Sequence, residues 1–301
     1  MNAALTALIA LVLTLPLPGV EIDPLPADTA WVLALDVQQT LKGPLGEVIR
    51  TEAARPETAP KLKLLTVISG FDPLRDCDRV VVSGTGFAPS DAAILLTGRF
   101  DGERLTTIVQ AADGYRTLSH GALTIHTWKD KDKPGQEVFA CLSGNRLALA
   151  NSEATLRRSL DALTANTAPS GPVAAAKAQD GTVVLAASAD RLQDLPRRER
   201  AAQVLQQVDR ATLTARAEGE AMALVLTVVA VDETAASRFQ QMAQGLLALL
   251  AMAQDPNLPA EAITVAQSLQ VVREQASVRF SALVPVALLR DAMAKRHAAD
   301  K

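Results

Sequence analysis

The sequence is poor in aromatic residues and in histidine. Only 3% of its 301 residues are aromatic, and three are histidine. Nucleic-acid bases and sugars stack on flat rings, so this scarcity argues against both kinds of binding site. The formal net charge is −3, which leaves no excess of basic residues to follow a phosphate backbone. We therefore expect no nucleic-acid partner.

The patterns of common enzyme classes are missing as well. A Ser–His–acid triad needs a histidine beside its nucleophile, but His120 lies at a predicted hairpin tip, His126 in a predicted strand and His297 in the polar tail. Residues 83–86 (SGTG) lack the third glycine and the lysine of phosphate-binding loops. We predict a protein that is not an enzyme, without catalytic, cofactor-binding or metal-binding residues. An enzyme with dispersed catalytic residues is the third hypothesis, because residues distant in sequence can meet in the fold.

Three aspartates, Asp72, Asp76 and Asp78, lie close together in the sequence. Carboxylate oxygens are calcium ligands, but the spacing and the final glutamate of a calcium-binding loop are missing. Aspartate directly before proline, as at Asp72, is typical of a turn. We interpret the cluster as a turn.

The first 20 residues contain no charged side chain. An apolar run over 5–15 ends at Pro16 and Pro18, which is typical of a secretory signal peptide over residues 1–19. Because the segment has no lysine or arginine, an uncleaved anchor and a buried N-terminal helix are alternatives. We expect an exported bacterial protein of the cell envelope, periplasmic or extracellular. It would touch the membrane only through an uncleaved N-terminal segment.

The two cysteines, Cys77 and Cys141, are too far apart in sequence for a CxxC redox motif or a zinc site. In an oxidising compartment they are candidates for one disulfide. The alternative is two buried thiols that pack as small apolar side chains.

Strands and helices follow a similar order in two stretches of the chain. In the first, apolar runs predict a strand at 31–37 and hairpins at 115–129 and 137–150, and helical spacing predicts helices at 41–51 and 61–69. In the second, strands are predicted at 182–187 and within 271–283, a hairpin of the strands 209–217 and 221–231 is predicted between them, and helices are predicted at 197–207, 233–253 and 260–269.

We predict an α+β protein of two similar modules, residues 25–165 and 181–296, each a mainly antiparallel sheet with helices packed on one face. The Ala-, Pro- and Ser-rich segment 166–180 is the predicted linker. The alternative is one continuous long sheet that curves through both modules.

Several short motifs carry a resemblance to a known family over about residues 25–165. They are LPADT (25–29), GPLG (43–46), GFDP (70–73), LTGRFD (96–101) and NSE (151–153). The first module resembles a family of exported bacterial α+β proteins known only as a domain of unknown function. The resemblance implies export and an α+β fold, and it supplies no catalytic residues.

The predicted helix 233–253 has a very apolar C-terminal half. Its stretch 239–252 is too short and too rich in glutamine to span a bilayer. The alternatives are a core helix or an apolar groove. The candidate groove residues are Phe239, Met242, Leu246, Leu249 and Leu250.

Export signals without catalytic patterns favour a non-catalytic envelope protein that acts as an interaction or scaffold module, with another envelope protein as partner. The alternative function is a periplasmic carrier or sensor of an apolar ligand, bound by helix 239–252. We expect no cofactor.

Overall fold

The computed structural model describes residues 19–131, 133–165, 168–188, 206–252, 265 and 267–291. The strands are β1 (Trp31–Asp36), β2 (Cys77–Gly84), β3 (Ala92–Gly98), β4 (Arg116–His120), β5 (Leu123–Lys129), β6 (Glu137–Ser143), β7 (Arg146–Ala150), β8 (Val183–Ser188), β9 (Val208–Glu218), β10 (Ala221–Ala230), β11 (Gln270–Glu274) and β12 (Ser277–Pro285). The helices are α1 (Val37–Lys42), α2 (Pro44–Ala53), α3 (Ala59–Ser69), α4 (Pro73–Asp76), α5 (Gly102–Gln110), α6 (Glu153–Ala165), α7 (Gly171–Lys177) and α8 (Glu233–Met252). A 3₁₀ turn, Pro89–Asp91, precedes β3, and residues 286–291 are helical.

All of these strands belong to one antiparallel sheet, so the fold class is α+β as predicted. The order across the sheet is β11-β12-β10-β9-β8-β1-β2-β3-β7-β6-β5-β4. β1 pairs with β8, with Val32 opposite Ala186 and Ala34 opposite Val184. Strands from both predicted modules therefore form one continuous sheet, which was the alternative arrangement. The division into two modules stays a prediction.

The strand order is the same on both sides of the β1–β8 pair. Moving outward, one side reads β1-β2-β3-β7-β6 and the other reads β8-β9-β10-β12-β11. The β4–β5 hairpin extends the first side beyond this common order. The chain thus uses one strand topology twice.

Helices cover both faces of this sheet rather than one. Successive residues of a strand point to opposite faces. Val32 and Ala34 of β1 belong to the same buried cluster as Leu156 of α6 and Val173 of α7. We call the face of the sheet on which Val32 and Ala34 lie the closed face. We call the face on which Leu33 lies the open face. Helix α8 packs on the open face at the β10–β12–β11 end of the sheet.

The main core lies between the closed face and the helices α6 and α7. The N-terminal segment completes it, with Val20 5% exposed and Ile22 2% exposed. The largest fully buried side chains of this core come from four strands and one helix. They are Val32, Val81, Ile125, Leu156 and Val184.

The segment 166–180, predicted as a linker, contains the core helix α7. Val173 and Ala176 are buried, and α7 packs on β1, β8 and β9. Alanine is both weakly apolar and the strongest helix former, so a low-complexity composition concealed a short buried helix. The helix α7 is therefore part of the core, so the described part of this segment is not a free connection.

The predicted helix at 41–51 is two helices that break at Gly43. The Gly43 N–H donates to the Thr40 carbonyl oxygen and ends α1. Pro44 then begins α2, at a position where no helical N–H is required. Gly46 is needed for this corner, because a Cβ there would lie 2.0 Å from the carbonyl oxygen of Leu41.

The candidate disulfide between Cys77 and Cys141 is absent, and both cysteines are free and buried. β3 and β7 lie between β2, which begins at Cys77, and β6, which contains Cys141. Three strand spacings amount to about 14 Å, whereas a disulfide requires Cα atoms within about 7 Å. The alternative of two buried thiols is the one observed.

Some predictions fall outside the described residues. These are the signal peptide up to residue 18, most of the predicted helices 197–207 and 260–269, and the end of the second module beyond 291. Among the helices that the structure does describe, none is long and apolar enough to cross a membrane.

Candidate functional site

A continuous row of aliphatic side chains crosses the middle of the open face. Each member is directly opposite the next in the strand pairing, on β3, β2, β1, β8, β9 and β10 in turn. The members of this aliphatic row are Ile94, Val82, Leu33, Leu185, Leu213 and Leu226.

The aliphatic row is open to solvent. Five of its six side chains are 36–38% exposed, and Val82 is half-buried. Neighbouring strands lie about 4.8 Å apart, so six strands carry the row over about 24 Å. Single exposed aliphatic residues are common on protein surfaces, but contiguous apolar patches mark interaction sites.

Helices flank the row but leave its centre uncovered. On one side, Leu45 and Val48 of α2 pack with Met222 and with Val286 of the helical segment 286–291. At the β12 end, the row meets Phe280, which packs against α8.

On the other side of the row lies a stacked aromatic pair. The rings of Trp31 and Phe87 are nearly parallel, with centroids 6.2 Å apart, and the Trp31 indole N–H donates to the Gly86 carbonyl oxygen at 2.8 Å. The aliphatic row is thus bordered by α2 on one side and by this aromatic pair on the other.

A second candidate site, the α6 cavity, opens on the closed face beside α6. Its volume is about 470 Å³, within the range of ligand pockets. The apolar wall comes from β3, β5, β6, β7 and α6. It is formed by Leu95, Leu123, Cys141, Ala148, Leu160 and Leu163.

One side of the cavity opening is formed by His120 at the β4–β5 turn and Asp161 of α6. The His120 Nε2 atom lies 2.8 Å from Asp161 Oδ1, and its Nδ1 atom lies 3.0 Å from Nη1 of Arg157. An arginine N–H only donates, so Nδ1 accepts and Nε2 carries the proton that is donated to Asp161. Arg157 also donates to the Ser119 carbonyl oxygen and to Glu153, which fixes the imidazole in this orientation.

The other side of the opening carries Arg146, at the start of β7. Its Nη2 atom lies 2.7 Å from Oδ1 of Asp23, a carboxylate whose side chain is only 3% exposed. Arg79 approaches the other Asp23 oxygen at 3.5 Å and pairs with Glu21. A buried carboxylate needs such partners, so this network holds Arg146 at the opening.

The groups at the cavity do not form an activated nucleophile. The Cys141 side chain lines the cavity, but burial raises the pKa of its thiol, whereas a nucleophilic cysteine needs a lowered pKa. Both ring nitrogens of His120 are already engaged by Arg157 and Asp161, so neither is left to take a thiol proton. The site is therefore a mainly apolar cavity without an activated cysteine.

Of the predicted groove residues of α8, the two with described side chains, Phe239 and Met242, belong to neither site. Phe239 packs into a small cluster with Val278 and Phe280. Met242 is 60% exposed. The side chains of Leu246, Leu249 and Leu250 lie outside the described residues.

Of the aspartate cluster, only Asp72 makes the turn interpreted from the sequence, since Asp76 ends α4 and Asp78 lies in β2. Asp72 caps α4 by accepting from the Leu74 N–H. Asp76 accepts from Arg75 and from Arg99, and these hydrogen bonds hold the pKa of its carboxyl well below the usual range. Within the described ranges, no group of His, Cys, Asp and Glu residues is arranged to hold a metal ion.

Sequence reasoning found neither the aliphatic row nor the α6 cavity. The signal for the row is weak but present. In 31–36 and 183–188, apolar residues occupy both faces of the strand, whereas a strand with one solvated face alternates apolar and polar residues. The cavity had no such signal, because its walls come from distant segments.

Comparison with protein-family models and with curated proteins finds no match, so the resemblance to a family of unknown function stays a prediction. Among solved structures, the chain is similar to crystal forms III and IV of TP0453. Both are 12% identical to it over 91% of this chain, with TM-scores of 0.48 and 0.49, and the matches cover 99% and 97% of those chains. A similarity of this size supports no conclusion about function.

Proposed function

We propose that this protein is a non-catalytic, exported interaction module of the cell envelope, and that the aliphatic row is its docking surface. The observation that carries the proposal is the register of six adjacent strands, which aligns six aliphatic side chains and leaves five of them more than a third exposed. Leaving such a row in water is unfavourable, so a partner that covers it gains binding free energy.

The length and the narrowness of the aliphatic row favour one amphipathic helix as the docked element. A folded partner with a flat face needs roughly 800 Å² on each side for a stable interface. The aliphatic row is one side chain wide, so the area that it offers to a partner is smaller than this. A helix rises about 1.5 Å per residue, so about 16 residues match the 24 Å row. An amphipathic helix in an apolar groove is a recurring recognition mode.

Export rests on the predicted signal peptide, and the fold is compatible with its removal. Val20 and Ile22, directly after the predicted cleavage region, are buried in the main core. The chain that remains after cleavage at about residue 19 would keep every described core residue. Intact mass of the protein recovered from its host tests this, and a chain that still begins at Met1 would refute cleavage.

Site-specific crosslinking in the native host tests the docking surface. A photo-crosslinking phenylalanine analogue replaces Leu185 in the row or, as the control, Val272 of β11. Val272 is 48% exposed and lies on the opposite face from the row. We expect a discrete protein adduct from position 185 only, weakened at least tenfold by Leu213→Asn in the same chain. Uncrosslinked monomer from both positions, or equal adducts from both, would overturn the proposal.

The second candidate function is a carrier or sensor of an apolar ligand. The observation that favours it is the α6 cavity, whose wall is apolar and whose opening carries fixed polar groups. The sequence-based carrier hypothesis placed the ligand at helix 239–252. Here the proposed ligand site is the α6 cavity instead.

A further inference from the structure

The α6 cavity combines an aliphatic wall with a polar opening. Leu95, Cys141, Ala148 and Leu160 form its floor and are 1–7% exposed. The described residues that line it include no Phe, Tyr or Trp, and the one ring among them is the His120 imidazole at the opening. A floor of this kind binds through burial of apolar surface and offers no ring on which a flat ligand would stack. The occupant that suits it is a flexible aliphatic chain.

Arg146 is the cationic group that lines the cavity. Its side chain is 46% exposed, and its ion pair with Asp23 engages Nη2. Asp23 accepts from one N–H of Nη2, and the second Nη2 N–H can form a parallel pair with the neighbouring N–H of Nε or Nη1. Because Asp23 is buried and fixes the guanidinium, little side-chain entropy is lost when a ligand binds to it.

The charged groups opposite Arg146 are already paired, so the part of the opening beside Arg146 suits an anionic group. Asp161, across the opening, is two-thirds exposed and already accepts the His120 proton. Arg157, behind His120, is paired with Glu153. An anionic head at Arg146 would meet a fixed donor, whereas a cationic head would meet only an exposed carboxylate that is already hydrogen-bonded.

We propose that the α6 cavity binds a single aliphatic chain with an anionic head, and that Arg146 binds the head. Carboxylate and phosphate monoester share the required chemistry, since both accept two parallel N–H bonds from a guanidinium. This inference rests on the second candidate function, because it names the ligand class of that site.

Calorimetry on the whole exported chain with three ligands of equal chain length tests the proposal. The ligands are dodecanoate, dodecyl phosphate and dodecanol, each below its micellar concentration. We expect at least one of the two anions to bind at least tenfold more tightly than the alcohol. The comparison between dodecanoate and dodecyl phosphate identifies which head is preferred.

Three variants locate the binding. Arg146→Gln should reduce the affinity for the anions to that for the alcohol. The matched control is Arg158→Gln, because Arg158 is 44% exposed, pairs with Asp28 and does not line the cavity. It should leave binding unchanged. Ala122→Trp, at an exposed position of the opening, should weaken binding of all three ligands without disturbing the core.

The possible results distinguish three claims, namely the head-group assignment, the location of the binding site and the carrier function. If the acid, the phosphate and the alcohol bind equally, and Arg146→Gln changes nothing, the head-group assignment is wrong while the carrier function stands. If Ala122→Trp has no effect on binding, the chain binds elsewhere and the proposed site is wrong. If none of the ligands binds to the folded wild-type protein, the carrier function itself fails. Circular dichroism of each variant verifies that it is folded.

Discussion

Two leucines of α6 should differ sharply in what they contribute to stability. Leu156 is fully buried between α6 and the closed face. Leu163, two turns later on the same helix, is half-buried and lines the α6 cavity. Leu156→Ala removes a well-packed side chain and creates a new void, which typically costs 2–5 kcal/mol, and we expect about 3 kcal/mol here.

Leu163→Ala should cost less, roughly 1 kcal/mol, because its side chain is partly solvated and its removal only enlarges an existing cavity. Urea unfolding followed by circular dichroism measures both values. The same variant should bind a longer aliphatic chain better than the wild type does. Equal losses of stability for Leu156→Ala and Leu163→Ala would refute the assignment of an open cavity beside Leu163.

Two further predictions concern the sheet. The isolated fragment 25–165 should be much less stable than the whole chain, because β1 loses its partner β8 and the core loses α7; a fragment with an unfolding midpoint equal to that of the intact protein would contradict this. Burial lowers the pKa of His126, whose Nδ1 lies 2.9 Å from the Tyr115 hydroxyl oxygen. The unfolded chain therefore binds more protons as pH falls below about 6.5, and this histidine should make the protein less stable there. NMR titration of the imidazole and urea unfolding at pH 7 and 5.5 test it, with His126→Gln as the variant that should lose this part of the pH dependence.

Local features of the fold were predictable because they depend on neighbouring residues. Trp31–Asp36 is a strand as its apolar run predicts. Gly70 ends α3 in the left-handed conformation, with φ of 74°, as its position after a helical pattern predicts. The hairpins over 115–129 and 137–150 turn at glycines with positive φ, Gly121 and Gly144.

The parts that sequence reasoning missed depend on distant pairings. Leu33 and Leu185 become neighbours only because β8 pairs with β1 across the middle of the chain. Apolar runs give no information about which strand lies beside which. For the same reason Cys77 and Cys141 looked able to pair, although two strands separate them. The helix α7 was missed because tertiary packing, and not a periodic pattern, makes it a core element.

The pairing of β1 with β8 has a consequence for how the chain reaches its fold. β1 is complete once residue 36 has been made, but its second partner begins only at Val183. Until then, one edge of β1 has unpaired N–H and C=O groups along an apolar strand, which is the kind of edge that recruits other chains. Contacts of such long sequence separation also form slowly. A ribosome that stops before residue 188 would therefore release a product prone to aggregation, and a chaperone that shields β1 during synthesis would raise the yield of folded protein.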